Sequence, residues 1–486
     1  MICTLPGGED EGKGKKMDHY DIGLIGLGVM GQNLALNMER NGFRVMVYNR
    51  SIDVTRSYLR GDAAGKAIAG AETLEELVGG LWLPRIIFLL VTAGKPVDAV
   101  IESLLPYLEA GDILIDGGNS HFRDTEMRAE LLARKGILYL GVGISGGEQG
   151  ALWGPSIMPG GDRQAYGHVA GLFEAIAARA GGEPCVTYIG PGGSGHYVKM
   201  VHNGIEYGVM QLIAEIYDLI KLLGGLAYGE LHEVFARWNS ASLASFLIEI
   251  TTEILARIDP DSGGPLLDVI LDKASQKGTG RWTSQEALEL GVPIPTITAA
   301  VEARSLSADK ATREALAKMN APSERQRSVD RNDFITTAEK ALFTAELLIY
   351  AQGFNLLRIA GDAYQYDLNL AEIARIWRGG CIIRASLLED IRQAYTAQPD
   401  LGNLLLHPLV REKIRQGTDD LREIICHASQ AAIPVPALAA SLAYLDSYSS
   451  EQLPANLIQA QRDYFGSHTY ERVDRPGAFH TNWRHP

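Results

Sequence analysis

In the stretch Gly195 to Tyr207, Lys199, His202, Asn203 and Glu206 fall at i, i+3, i+4 and i+7, so on a helix all four share one face. Around them stand Val198, Val201, Ile205, Val209 and Leu212, and so apolar a set calls for a helix packed inside a protein. Burial disfavours the charged form of an amine. A lysine placed this way beside a nicotinamide can take the proton of an alcohol while hydride leaves the carbon. A carboxylic acid on the same face can then return a proton to carbon. The pairing suits oxidation of a β-hydroxy acid followed by loss of carbon dioxide, because the new ketone accepts the electrons of the broken bond and no metal is needed. The sequence carries no persuasive metal-ligand cluster. The same spacing also fits a solvated helix face stapled by Lys–Glu pairs, and the stripe by itself leaves both readings open.

The hydride acceptor has its own signature. Ile22-Gly23-Leu24-Ile25-Gly26-Leu27-Gly28-Val29-Met30-Gly31 places GxGxxG at Gly26, Gly28 and Gly31, after a β-rich run and at the start of a helical one. In that context Gly26 permits a tight turn, Gly28 lets backbone N–H groups approach a pyrophosphate, and Gly31 brings helix and strand together. At the end of the next β-rich run, where an acidic residue would bind a ribose 2′-hydroxyl, the chain has Asn49-Arg50-Ser51. Arg50 offers a planar fork of donors to a 2′-phosphate, with Asn49 and Ser51 able to add hydrogen bonds. NADP is therefore favoured over NAD, the alternative being a solvated surface arginine.

The elements that must position these residues read in two grammars. β-rich runs at Tyr20 to Ile25, Phe43 to Tyr48, Ile86 to Val91, Ile113 to Asp116, Ile137 to Val142 and Val186 to Ile189 alternate with helical stretches, which predicts a mostly parallel sheet flanked by helices. Beyond Gly190-Pro191-Gly192-Gly193-Ser194-Gly195 helical periodicity takes over; Phe334, Ala338, Ala341, Leu342, Ala345 and Leu348 trace one face. The expected fold class is an α/β Rossmann-type dinucleotide-binding domain (18–192), then a large all-α substrate and dimerisation domain (193–453), then an extended C-terminal tail (454–486). The tail mixes aromatics with Arg, His, Gly and Pro without any period, so it must dock on something or stay loose. Residues 1–17 read as a disordered extension, with Met17 as an alternative start.

With 486 residues, 46% of them hydrophobic, the chain can bury more than one core. A formal charge of −14 argues against nucleic acid or an anionic membrane surface as partner, so an anionic substrate needs a local cluster of Arg and Lys. Cys3, Cys185, Cys381 and Cys426 show no paired spacing and read as packing residues of a reducing, cytoplasmic compartment. No apolar run reaches the roughly 20 residues that cross a bilayer.

From about Asp18 to Arg472 the sequence resembles the 6-phosphogluconate dehydrogenase family of decarboxylating enzymes. The motifs that carry the resemblance are Gly26 to Leu34, Asp116-Gly117-Gly118-Asn119-Ser120, Ile144-Ser145-Gly146-Gly147-Glu148 and Gly154 to Gly161. The Lys199 stretch, Gln276-Lys277-Gly278-Thr279-Gly280, Ala303-Arg304-Ser305-Leu306-Ser307 and Gln461 to Glu471 complete the set. The resemblance implies that Lys199 accepts the C3-hydroxyl proton as hydride passes to NADP and then polarises the ketone, and that Glu206 protonates C1 of the enediol. It implies a pocket lined by Asn119, Ser145, Gly146, Gly147, His202 and Asn203, with Tyr207, Lys277, Arg304, Arg462 and His468 around the phosphate of 6-phosphogluconate. Gly26, Gly28, Val29, Met30, Gly31, Asn49, Arg50, Ser51, Val91, Thr92, Ala93 and Asn119 fall to the cofactor. It further implies a homodimer in which the tail of one subunit completes the site of the other.

The sequence departs from the family pattern at Thr92, often Lys; at Val209, commonly Asp; and at Leu152-Trp153, usually Arg-Tyr. Two other readings remain. A 3-hydroxyisobutyrate-type dehydrogenase would share the glycine loop and the lysine but be much shorter and lack the tail. A non-catalytic NADP-binding sensor would not need Lys199 and Glu206.

Overall fold

The computed structural model describes residues 19–319 and 329–483. The expected disordered extension and Cys3 lie outside the described residues.

Runs such as Ile22–Ile25 and Ile113–Asp116 are buried along their whole length, as strands covered on both faces must be. They belong to a seven-stranded sheet: β1 (Ile22–Ile25), β2 (Val45–Tyr48), β3 (Ile68–Gly70), β4 (Ile86–Leu89), β5 (Ile113–Asp116), β6 (Leu138–Ser145) and β7 (Ser156–Gly161). The order is β3-β2-β1-β4-β5-β6-β7, parallel except for β7, which runs antiparallel to β6. β1 therefore sits between β2 and β4, and the chain reverses its direction of travel across the sheet there. In sheets of this kind the crevice beyond the carboxyl ends of those strands receives ligands.

One expected strand is absent from the sheet and two others are added. The run Val186 to Ile189 does not join the sheet as a strand; it touches β7 through an isolated bridge, Ile157 to Val186, and a second bridge follows it, Gly160 to Gly190. β7 takes the edge place instead. It was not read as a strand because Ser156-Ile157-Met158-Pro159-Gly160-Gly161 lacks alternation, and every one of its residues is buried. The short β3 was missed for want of length.

Long helices follow. Ser194–Leu222, Arg331–Tyr364 and Pro408–Gln430 share one large core, and the periodic face from Phe334 to Leu348 lies inside it. The Ser194 helix also lies against β6 and β7, where glycine brings backbone and helix together. A Cβ on Gly143 would stand 2.4 Å from Lys199 Cβ, and one on Gly160 would stand 2.2 Å from the Gly195 nitrogen. That approach presses Lys199 onto the sheet. Among the described residues no helix is long and apolar enough to cross a membrane. Cys185 and Cys381 are buried packing residues as expected, whereas Cys426 is exposed.

The tail corrects the expectation of an aperiodic segment. It forms a helix, Ala455–Gly466, and a short antiparallel hairpin in which Tyr470 pairs with Phe479 and Glu471 with Ala478. The segment orders without an apolar core because its interior is a carboxylate, that of Asp463, bonded by backbone and side-chain donors of the same segment. Hydrophobic periodicity gives no sign of such an arrangement.

Candidate active site

The glycine turn leaves β1 at Gly26, whose φ of +104° suits glycine and where a Cβ would strike the Leu90 carbonyl oxygen at 2.4 Å. At Gly31 a Cβ would lie 1.9 Å from the Gly26 oxygen, so helix Val29–Arg40 packs onto the turn as the sequence required. At Gly28 a Cβ would meet nothing within 4 Å. The turn is open in front of the helix N-terminus, whose first turn carries no acidic residue. Open space, unopposed N–H groups and the helix dipole together fit a pyrophosphate. Val29 is exposed and Met30 half-buried beside the turn.

The remaining cofactor candidates gather at neighbouring strand ends: Asn49, Arg50 and Ser51 after β2, Val91, Thr92 and Ala93 after β4, and Asn119 after β5. Arg50 and Ser51 are exposed, free to meet a 2′-phosphate. Asn49 also serves the turn itself. Its Oδ1 accepts the Leu27 N–H at 3.1 Å and its Nδ2 donates to the Ser51 carbonyl at 3.2 Å, so it braces the turn.

One residue the sequence did not flag joins two of these loops. Arg128, buried on helix Phe122–Ala133, donates to Asp98 at 2.7 Å, to the Gly94 carbonyl at 3.1 Å and to Asp116 at 3.4 Å. The loop after β4 and the Asp116–Ser120 loop are thereby tied together. No motif or period marks an arginine for that task.

Lys199, His202 and Asn203 are buried on the Ser194 helix, and Glu206 keeps 22% of its side chain exposed. Lys199 Nζ donates to Asn203 Oδ1 at 2.7 Å and lies 3.3 Å from His202 Nδ1. His202 Nε2 is 3.0 Å from Ser145 Oγ at the end of β6, which also accepts the Ile382 N–H at 3.4 Å. The Asn203 amide donates to Thr279 Oγ1 at 3.2 Å. Thr279 and Ile382 were not singled out. Thr279 belongs to the Gln276–Gly280 motif, while Ile382 acts through its backbone and so leaves no trace in residue type.

Electrostatics push the amine and the carboxyl toward each other. Burial lowers the Lys199 pKa from the ordinary lysine value, against weaker raising by Glu206 and Cys381. Burial raises that of Glu206, against lowering by Lys199 and Arg304. Burial and then the neighbouring Lys199 hold His202 well below the usual imidazole value, so it is neutral near pH 7. A neutral amine and a protonated carboxyl on one helix face can take one proton and give another.

Beyond Glu206 stand the cationic side chains of Arg304 and Lys277. The Arg304 guanidinium lies 3.4 Å from the centre of the Tyr207 ring and donates to the Ser275 carbonyl, and the Tyr207 hydroxyl accepts the Lys277 N–H at 3.4 Å. The Lys277 side chain is exposed. Gly146, with a φ of +114°, and Gly147 follow Ser145 at the mouth. Arg462 and His468 are not brought to this cluster: Arg462 donates to Gln459 and His468 packs against Phe465, both inside the tail. Among the described residues no group of three or more His, Cys, Asp and Glu could hold a metal ion.

The two halves of this arrangement match known sequence profiles. The NAD binding domain of 6-phosphogluconate dehydrogenase covers residues 21–190, and the C-terminal domain of 6-phosphogluconate dehydrogenase covers 195–483. The chain belongs to the 6-phosphogluconate dehydrogenase family. It is 56% identical over 465 residues to the decarboxylating 6-phosphogluconate dehydrogenase of Synechococcus elongatus, covering 95% of this chain and 99% of that one. With the NADP(+)-dependent, decarboxylating enzyme of Bacillus subtilis it shares 53% identity over 468 residues, covering 96% of this chain and 100% of that one. The Plasmodium falciparum 6-phosphogluconate dehydrogenase, solved apo, with NADP+ and with 6-phosphogluconate, superposes with a TM-score of 0.93 at 47% identity, covering 95% of this chain and all of that one.

Proposed function

We propose that the chain catalyses the NADP-dependent oxidative decarboxylation of 6-phosphogluconate to ribulose 5-phosphate and carbon dioxide. The observation that carries this reading is the pairing, on one buried helix face, of an amine and a carboxyl each shifted toward its neutral form.

The Gly26–Gly31 turn would hold the NADP pyrophosphate and Arg50 its 2′-phosphate, and the bound cofactor would supply the hydride acceptor for C3. Lys199, neutral, takes the proton of the C3 hydroxyl, and Asn203 directs its lone pair by holding the amine through Oδ1. The resulting ammonium polarises the C3 ketone. The C1–C2 bond then breaks, carbon dioxide leaves, and its electron pair becomes the enediol while Lys199 returns the proton to O3. Glu206 protonates the carbon that becomes C1 of the product while Lys199 takes back the O3 proton, so the enediol becomes the ketone of the product. The ketone is the electron sink, so no step calls for a metal.

Asn119, Ser145, Gly146, Gly147, His202 and Asn203 line the sugar-acid side. Tyr207, Lys277 and Arg304 take the phosphate, to which Arg462 and His468 come from the partner subunit of a homodimer. The tail supports that arrangement: Leu457 at 62%, Ile458 at 58% and Phe465 at 72% exposure leave an apolar helix face in need of cover. The same reading divides the chain into 18–192, 193–453 and the tail, and puts the enzyme in the cytoplasm.

Turnover with 6-phosphogluconate, set beside 3-hydroxyisobutyrate and beside NADP binding without turnover, tests this reading. Activity confined to the second acid, or binding alone, overturns it. Changing Glu206 to Gln is expected to lower turnover by about 10²- to 10⁴-fold while the amide keeps the packing. Ribulose 5-phosphate formed at an undiminished rate would assign the acid role elsewhere. Changing Arg50 to Ala is expected to weaken NADP by roughly ten- to a hundredfold, the worth of a hydrogen bond to a charged group, and NAD far less. Equal weakening of both in a binding titration contradicts the role. With Thr92 in place of the frequent lysine, some activity with NAD is expected to be measurable in the same assay.

A further inference from the structure

Asp463 has no exposed surface, although it stands in a tail whose helix is otherwise largely exposed. Its Oδ1 accepts the Thr469 N–H at 3.0 Å and lies 2.9 Å from His480 Nδ1. Its Oδ2 accepts the Thr481 N–H at 3.1 Å and the Trp483 indole N–H at 2.8 Å. We propose that Asp463 is a positioning residue that holds Arg462 and His468 as a preformed pair, so that the tail reaches the substrate phosphate with both side chains already arranged. This rests on the reading of the tail given above.

The geometry ties both residues to the one carboxylate. Arg462 precedes Asp463 in the helix, and its guanidinium donates to Gln459 Oε1 at 3.0 Å, while Gln459 Nε2 donates to the Thr469 carbonyl at 2.5 Å. Thr469 in turn donates its N–H to Asp463, and His468 is its neighbour in the chain. Between helix and hairpin, Ser467 and Thr469 take φ values of +50° and +59°, a costly pair for residues with side chains that the bonds to Asp463 hold in place. His468 folds back over the helix end, where a Cβ on Gly466 would meet its Nε2 at 2.6 Å. Burial favours the protonated acid, but the bonds from His480, Thr481 and Trp483 outweigh it and hold the carboxyl at about 2. The carboxylate therefore stays charged across the working pH range.

A preformed clasp spares the ordering entropy of two long side chains on binding. The test is selectivity for the phosphate. Gluconate is identical to 6-phosphogluconate at the reacting carbons and lacks only the phosphate, so kcat/KM for the two acids separates phosphate recognition from chemistry. In the full-length enzyme Asp463→Asn keeps the volume but turns one acceptor into a donor facing two other donors. It is expected to lower kcat/KM for 6-phosphogluconate by about ten- to a hundredfold, chiefly through KM, with gluconate turnover and NADP binding unchanged.

Gly466→Ala leaves the carboxylate bonds in place but forces the His468 ring aside, so a smaller loss in the same direction is expected. An unchanged ratio in Gly466→Ala overturns the proposal if Asp463→Asn does not fold. Arg462→Ala, measured in parallel, separates the two levels of the argument. If it keeps full selectivity, the tail does not bind phosphate and the reading beneath the proposal fails. If Arg462→Ala loses selectivity while Asp463→Asn keeps it, or if Asp463→Asn lowers both acids equally, the positioning role alone is wrong.

Discussion

Changing Lys199 to Met is expected to cut turnover of 6-phosphogluconate by about 10³-fold or more, near the upper range for loss of a positioned acid–base group, while the Kd for NADP stays close to its original value. Methionine matches the length of the lysine stem and fills the space against Gly143, so the Ser194 helix keeps its seat on the sheet. The Asn203 Oδ1 loses its 2.7 Å donor, and His202 loses the neighbour that presses it toward neutrality.

The pH dependence carries the sharper signature. With the neutral amine as the proposed active form and its pKa lowered by burial from the ordinary lysine value, kcat/KM is expected to rise with pH on the acid side, and the residual activity of the methionine variant to lack this limb. With protonated Glu206 as the proposed acid and its pKa raised by burial, activity is expected to fall on the alkaline side. Stability carries the same sign for the lysine. The unfolded chain holds the lysine proton more firmly than the folded one, so Lys199 makes stability rise with pH between its folded value and 10.5. Thermal melting across that window should be steeper for the wild type than for the variant. Near-normal turnover in purified Lys199→Met enzyme would remove the lysine from the mechanism.

The second large effect is a recovery. Subunits carrying Lys199→Met and subunits carrying Arg462→Ala are each expected to be inactive or severely impaired as homodimers. If the tail acts in trans as proposed, then on mixing with subunit exchange one site of the mixed dimer receives intact Lys199 from one chain and intact Arg462 from the other, while its second site carries both defects. Activity per mixed dimer should then approach about half that of the wild type. The expectation follows from the tail: Arg462 donates to Gln459 and His468 packs on Phe465 inside the same segment, and the helix Ala455–Gly466 leaves Leu457, Ile458 and Phe465 uncovered. Deleting the chain from Pro454 should correspondingly remove catalysis while NADP binding persists, since the cofactor turn is built from β1 and its own helix. No recovery despite demonstrated exchange would mean that the tail serves its own subunit.

What the sequence determined by itself is whatever one element can specify alone. The Gly26–Gly31 turn and the Lys199, His202, Asn203, Glu206 stripe are local: strand, turn and helix geometry put these residues together whatever packs around them. The exposed place of Arg50 at the end of β2 follows from the strand and turn order alone. The tertiary structure decided which atoms of other elements meet those residues. Thr279 orients Asn203 across 76 residues, the Ile382 N–H reaches Ser145 across 237, and Arg128 joins two loops with no motif of its own. It also decided protonation. Lys199 and Glu206 are shifted by desolvation, which depends on what fills the space around a group, and that space is built by strands and helices remote in sequence. The tail escaped the sequence for the same reason: hydrophobic period reports apolar burial, whereas the tail is organised by a buried carboxylate whose four donors become neighbours only once the chain has turned back on itself.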